Sequence, residues 1–257
     1  MRRSNYLVFI MSKGITGSER VELIVQGREV IEIGLTATDY LINWGDGSSS
    51  RDRFHVYLSV KEKSVCVTGK NIRELVIRGK GIVSLKVIGC FAMHHITCSD
   101  CNLSCIELDC INLRGLSMQN NRVTQLSLNS SNLDWLVCDN NDLHELDLAS
   151  QSRLVMLSCK HNYLEKLRLP KSNFVLKSIN CACNNLSKEE LNEIAATLPK
   201  YIPYTNYLFD YSLNPGTREV NFSDMLACGW KLEESYNTNL IEKLISKFRD
   251  LGYLKAE

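Results

Sequence analysis

Leu113-Arg-Gly-Leu116-Ser-Met118-Gln-Asn-Asn121 is a phrase that the chain writes four times. It returns as Leu133-Asp-Trp-Leu136-Val-Cys138-Asp-Asn-Asn141, as Leu154-Val-Met-Leu157-Ser-Cys159-Lys-His-Asn162, and as Leu176-Lys-Ser-Ile179-Asn-Cys181-Ala-Cys-Asn184. The starts are 20, 21 and 22 residues apart. Apolar residues alternating across the middle of each phrase predict a short strand with one face turned inward. One such turn cannot bury its own leucines, so successive turns are expected to stack into a solenoid with a continuous core.

The asparagine that ends each phrase (Asn121, Asn141, Asn162, Asn184) has two readings. An ordinary positive-φ turn residue explains one of them. Four in register favour a ladder in which each side chain satisfies buried backbone groups of the neighbouring turn. Period and pattern fall in the leucine-rich repeat class. Tracing the pattern outward halves its grain. Apolar-x-x-apolar-x-apolar runs begin at Ile72, Ile82, Met93 and Leu103, and continue at similar intervals to Leu186.

Residues 1–70 read differently. Val21 to Val25 and Val30 to Ile33 are β-branched runs bounded by Gly17, Gly27 and Gly34, the punctuation of strands. Leu41 to Trp44 is a further strand, and Gly45-Asp46-Gly47 supplies a tight turn. His55 to Leu58 and Ser64 to Gly69 continue the series. Asp46 is expected to bond its own backbone, since the alternating oxygens of a calcium loop are missing around it.

Two resemblances rest on these residues. Asn43-Trp-Gly-Asp-Gly47 followed by His55-Val-Tyr57 is similar to the hallmark turn and strand of polycystic-kidney-disease-type β modules. The nested repeats resemble the short leucine-rich repeats of Bacteroidetes surface and secreted proteins, whose consensus reads roughly LxxLxCxxNxLxxLDLxxN. Asn185 to Pro199 resembles that family's terminal helix, and Asn214 to Thr217 with Cys228-Gly-Trp230 resembles its closing segments. The resemblance implies a β-dominated α/β solenoid wound as a right-handed superhelix. A β module over 1–70 closes one end, repeats fill 71–199, and a helical cap over 200–257 closes the other.

At that far end Ser187 and Glu190 form a capping-box pattern. Leu191, Ile194, Ala195 and Leu198 share one helix face, and Pro199 stops it. Leu208 to Tyr211 is expected as a strand, and Phe222 to Cys228 as a short helix closed by Gly229. From Asn239 the apolar residues Leu240, Ile241, Leu244, Ile245, Phe248 and Leu251 fall at helical spacing. That tail is read as a helix folded on the cap, or as one that joins a second chain.

Thirty basic and twenty-nine acidic residues leave a net charge of +1, which argues against a nucleic-acid partner. No apolar run approaches the ~18 residues of a membrane span. Tyr6 to Met11 is short for a secretory leader and Ser12-Lys-Gly14 is a poor cleavage site, so the chain reads as soluble. The Bacteroidetes resemblance implies an extracellular or cell-surface location. An odd count of eleven cysteines points to the cytoplasm instead, and both stay open.

Cys98, Cys138, Cys159 and Cys181 occupy slots where this class places leucine, so they are read as reduced core filler. Cys98, Cys101, Cys105 and Cys110, with His94 and His95, offer zinc-type ligands. Cys98 should nevertheless point inward while Cys105 is an x position, so no metal is expected. Nucleotide, metalloprotease, hydrolase and kinase motifs are missing, and neither an enzyme nor a cofactor is expected.

The x positions of each strand should then form an exposed face for a partner. Its residues are His95, Thr97, Ser99, Gln119, Trp135, Val137, Asp139, Met156 and Lys160, with Trp135, Val137 and Met156 as an apolar spot. A protein partner is the first expectation, and a glycan or assembly through the terminal helix are the alternatives. In the opposite half-repeats His144, Glu145, Asp147, Glu165, Lys166 and Arg168 read as a solvated face.

Overall fold

Each repeat phrase becomes one strand of three residues, because only its central apolar residue and the slots two places away can face the core at strand period. A computed structural model describes residues 19–128, 133–171, 175–199, 207–220, 223, 226 and 230–232. The apolar run Tyr6–Met11, most of the expected Phe222–Cys228 helix, its Gly229 stop and the tail helix from Asn239 lie outside the described residues.

Along the chain come β1 (Glu19–Thr36), β2 (Asp39–Asn43), β3 (Ser49–Ser50), β4 (Phe54–Lys70), β5 (Glu74–Arg78) and β6 (Ile82–Ile88). Short strands follow: β7 (His95–Thr97), β8 (Cys105–Leu108), β9 (Gly115–Ser117), β10 (Trp135–Val137), β11 (Glu145–Asp147), β12 (Met156–Ser158), β13 (Lys166–Arg168) and β14 (Ser178–Asn180). Helix α1 (Lys188–Thr197), β15 (Tyr207–Asp210) and β16 (Trp230–Leu232) complete the series.

The result is a β-solenoid of about six turns with one α-helix among the described residues. On one side β5, β7, β9, β10, β12 and β14 pair in parallel, one strand per turn, and β15 and β16 extend the row. The second half of each turn supplies the other side, where β6 pairs with β8 and β11 with β13. The halved period of the sequence is thus the alternation between two sides of one coil.

β1 joins both sides. Its first half pairs with β6 from Arg20 to Val25, and its last residues pair with β5 from Glu32 to Thr36. Between the two it bends at Gly27, whose φ of +87 suits glycine. There the register against β4 slips on either side of Gly27, two bulges that sharpen the twist. One apolar cluster runs from Val21 and Trp44 through the repeat leucines and cysteines to Phe209 and Trp230. The strands at the front and the repeats therefore share a single core.

In the turn after β2, Trp44 stacks on His55 with ring centroids 4.8 Å apart. Asp46 Oδ1 accepts from the Ser48 amide (2.9 Å) and hydroxyl (2.6 Å), and its Oδ2 lies 2.7 Å from His55 Nε2. These bonds hold the Asp46 carboxyl down at about 2. The Tyr57 hydroxyl donates to the Trp44 carbonyl, and burial pushes that phenol up to about 12. Asp46 is a turn residue bonding its local backbone, as its sequence context suggests.

Helix α1 begins at Ser187, whose Oγ accepts from the Glu190 amide, one half of the expected capping box. The Glu190 carboxylate accepts from the Leu167 amide at 2.7 Å, tying the helix to β13. Leu191, Ile194 and Leu198 are buried, with Ala195 packed against the core beside them.

Candidate binding face

The ends of the repeat phrases fix the stack. In each of five successive turns one asparagine amide donates to a carbonyl of its own turn and to one of the turn before. Asn121 Nδ2 reaches the Met118 and Cys98 carbonyls, both at 2.8 Å. Asn141 reaches those of Cys138 and Met118, Asn162 those of Cys159 and Cys138, and Asn184 those of Cys181 and Cys159. The oxygens accept in turn from Leu103, Val123, Leu143 and Leu164 N–H groups of the preceding turn.

The turn itself is made one residue earlier. Asn120, Asn140, His161 and Cys183 carry φ between +52 and +58, so the ladder asparagines are not the left-handed residues. Asn120 and Asn140 also form a shorter outer ladder, since Asn120 donates to Asp100 and Asn140 to Asn120 at 2.9 and 2.8 Å.

Two rungs escape the repeat pattern. Asn214 Nδ2 bonds the Tyr211 and Cys181 carbonyls, and its oxygen takes the Leu186 N–H. Its signal is in the sequence, because Phe209-Asp-Tyr211-Ser-Leu-Asn214 repeats the phrase with aromatics in the Leu and Cys slots. Cys101 occupies the rung below Asn121, with its thiol donating to the Ile77 and Ser99 carbonyls at 3.4 and 3.2 Å.

Cys98, Cys138, Cys159 and Cys181 are fully buried and unbridged, and burial pushes each thiol well above its ordinary range. Cys101 and Cys110 are buried while Cys105 is exposed, so the cysteines of that stretch do not converge. Among the described residues no three His, Cys, Asp or Glu side chains group as metal ligands.

With the Leu and Cys slots filled by core, the x positions turn to the other side of the sheet. His95, Thr97, Ser99, Gln119 and Lys160 are half-buried there. The structure departs from expectation at the centre of this face. Trp135, Val137, Met156 and Asp139 are only 5, 2, 3 and 5 % exposed. Trp135, Val137 and Met156 form an apolar cluster of their own, separate from the main core.

The physical reason is the small residue in the neighbouring turn. The Trp135 indole lies over Gly115, where an added Cβ would stand 2.2 Å from the ring, and continues to His95, with near-parallel rings 6.1 Å apart. Three turns are braced by one side chain. Burial lowers the His95 pKa, with the Glu74 charge opposing that shift.

Polar groups beside this cluster form two bonded sets. Ser117 Oγ lies 3.2 Å from Ser99 Oγ and donates to Gln119 Oε1. Ser158 Oγ donates to Asp139 Oδ1 at 2.6 Å, and the Lys160 amide donates to the same oxygen at 3.0 Å. Burial nevertheless pushes the Asp139 carboxyl up to about 6, against the bond from Ser158 and the charge of Lys160. Beyond the rim Asp134 joins Arg114 and Arg153, with 2.8 Å from Arg114 Nε and 3.4 Å from Arg153 Nε.

The opposite side has another character. Glu145 stands beside Lys166 and Asp147 beside Arg168, with 3.0 Å between Arg168 Nη1 and Asp147 Oδ2 at an exposed site. His144 stacks on Tyr163 at 5.7 Å. These are paired charges on a solvated surface. No described helix is long and apolar enough to cross a membrane. Comparison of the chain with family models, with curated proteins and with solved structures gives no match.

Proposed function

We propose that the chain is a non-enzymatic recognition module of leucine-rich repeat type, which binds a protein partner through the outward face of the β5-to-β16 row. One observation carries this reading. On the side of the sheet away from the main core sits a second apolar cluster, Trp135, Val137 and Met156, ringed by His95, Ser117, Gln119, Asp139, Ser158 and Lys160. The cluster is already buried in the free chain, so it stiffens the centre of this face and leaves the polar residues around it as the surface a partner meets.

The burial of Trp135 alters how the face works. Its ring braces the turns, and the half-buried His95, Gln119 and Lys160 at the rim meet the partner. Polar rims of this kind set specificity and register. The front strands with their Trp44–His55 stack are read as a polycystic-kidney-disease-type module closing one end of the coil, and α1 with the segments beyond it as the closure of the other. The Bacteroidetes resemblance extends the proposal to a cell-surface setting.

The test pairs two variants. Gln119→Ala with Lys160→Glu changes the rim without touching a core slot, and Lys166→Glu changes the opposite side. Loss of partner capture in the first alone supports the reading. Equal loss in both, or in neither, contradicts it.

A further inference from the structure

The front ribbon carries an uncovered surface that the recognition face does not use. Val30 on β1 and Phe54, Val56 and Leu58 on β4 are 55, 61, 58 and 73 % exposed. They share one side of the ribbon, since Val30 pairs with Val56 and Glu32 with Phe54 in an antiparallel register. The alternate residues His55 and Tyr57 turn the other way, onto Trp44 and Asp46. These four side chains leave roughly 300–400 Å² of apolar surface in one patch, the size of the largest patch on a typical monomer, which is often functional.

The second observation is independent of the first. β4 pairs with β1 along one edge over Phe54 to Tyr57, whereas β2 reaches its other edge only from Cys66 to Lys70. Among the described residues no strand pairs with that other edge from Phe54 to Leu58. Natural sheets blunt such edges with charges, particularly lysine. Phe54-His-Val-Tyr-Leu-Ser-Val60 carries no Lys, Arg, Asp or Glu, and charges stand only at its ends, Arg51, Asp52 and Arg53 before it and Lys61, Glu62 and Lys63 after it.

We propose that this edge is the twofold seam of a homodimer, in which β4 of one copy pairs antiparallel with β4 of a second. The alternation makes the strand complementary to itself. With Val56 on the axis, it meets Val56 of the second copy, and Phe54 lies across from Leu58 of the second copy on the same face. Such cross-strand apolar pairs are the unit of sheet stabilisation. An isologous contact of this kind closes on itself and leaves no further edge for a third copy. Edge pairing joins the two copies in the plane of the sheet, so Phe54, Val56 and Leu58 meet their counterparts across the seam while Val30, one strand in, flanks it.

Sedimentation equilibrium of the full chain, with two variants, tests the seam. The parent is expected to form a concentration-dependent dimer. Val56→Lys places like charges across the axis and should weaken dimerisation by at least about 100-fold, which is some 2.7 kcal/mol at 1.36 kcal/mol per decade, with an unchanged circular dichroism spectrum.

If Val56→Lys fails to fold, Val56→Cys decides. Opposed residues of an antiparallel pair have Cα atoms ~4.5–5.5 Å apart, within reach of a disulfide. Oxidation should therefore cross-link Val56→Cys to a dimer that the parent and Val30→Cys do not give. A parent monomeric at every concentration overturns the proposal and leaves the edge to a strand of another protein. A dimer that survives Val56→Lys, or Val56→Cys without a cross-link, overturns it too.

Discussion

The indole of Trp135 occupies the space that a β-carbon on Gly115 would need, 2.2 Å away, although the two residues lie one full turn apart in the coil. Glycine at this position serves the close approach of a ring from the next turn. Gly115→Ala should therefore destabilise the fold by about 1–3 kcal/mol through overpacking. Trp135→Ala alone should cost about 3 kcal/mol as a buried aromatic truncation. In the Trp135→Ala background the alanine at 115 should cost almost nothing. A thermal-denaturation double-mutant cycle measures the coupling, and additive effects would contradict the packing.

The asparagine ladder makes a sharper demand on stability. Asn162→Ala removes the acceptor of the Leu143 N–H and the donor to the Cys138 and Cys159 carbonyls. Leaving such buried groups unmet costs about 2–4 kcal/mol, a large part of a typical total of ~5–15 kcal/mol. Asn140→Gly, which removes the exposed outer-ladder bond but keeps the left-handed backbone at φ +52, should stay within about 0.5–1 kcal/mol. Urea titration of the two variants should separate them clearly. Equal losses would mean that the inner ladder is dispensable.

Much of this architecture is legible in the residues alone. Leu at alternate places fixes which side of each strand is core, and the spacing from Leu113 to Leu176 fixes one strand per turn. Four asparagines in register point to the ladder. What the residues do not reveal is depth. Trp135 is apolar and sits on an outward slot, but its burial depends on glycine 20 residues earlier. Asp139 reads as a polar contact residue because its acceptor role towards Ser158 and Lys160 arises only when turns stack. The span of β1 across both sides of the coil is equally hidden, since pairing partners are non-local and Gly27 alone gives no direction to the bend.

Asp139 supplies a prediction in pH. Its folded pKa of about 6 lies above the ordinary carboxyl value of 3.8, so the folded chain holds its proton more tightly than the unfolded chain. Stability from this group is then lost as pH rises from about 4 through 6, by about 2–3 kcal/mol in all. Asp139→Asn keeps an oxygen for Ser158 and Lys160 and carries no charge. The variant should gain stability relative to the parent between pH 5 and pH 8. Denaturation midpoints across that range decide, and parallel curves for the two proteins would refute the assignment.

The thiols should react in an order set by burial. Thiolate chemistry needs access and a low pKa, and Cys138, Cys159 and Cys181 have neither. Iodoacetamide on the native protein, read by peptide mass mapping, should label exposed Cys105 well before these three. The three should become reactive together with global unfolding. Early labelling of Cys159 would place it outside the core.

The recognition face itself is tested most directly by a photo-cross-linking residue placed at Gln119, on the outward side of the parallel row, or at Glu145, on the opposite side. Illumination in the native cell background should give a discrete adduct from position 119 and none from position 145. Adducts from position 145 alone, or the same adducts from both, would contradict binding through this face.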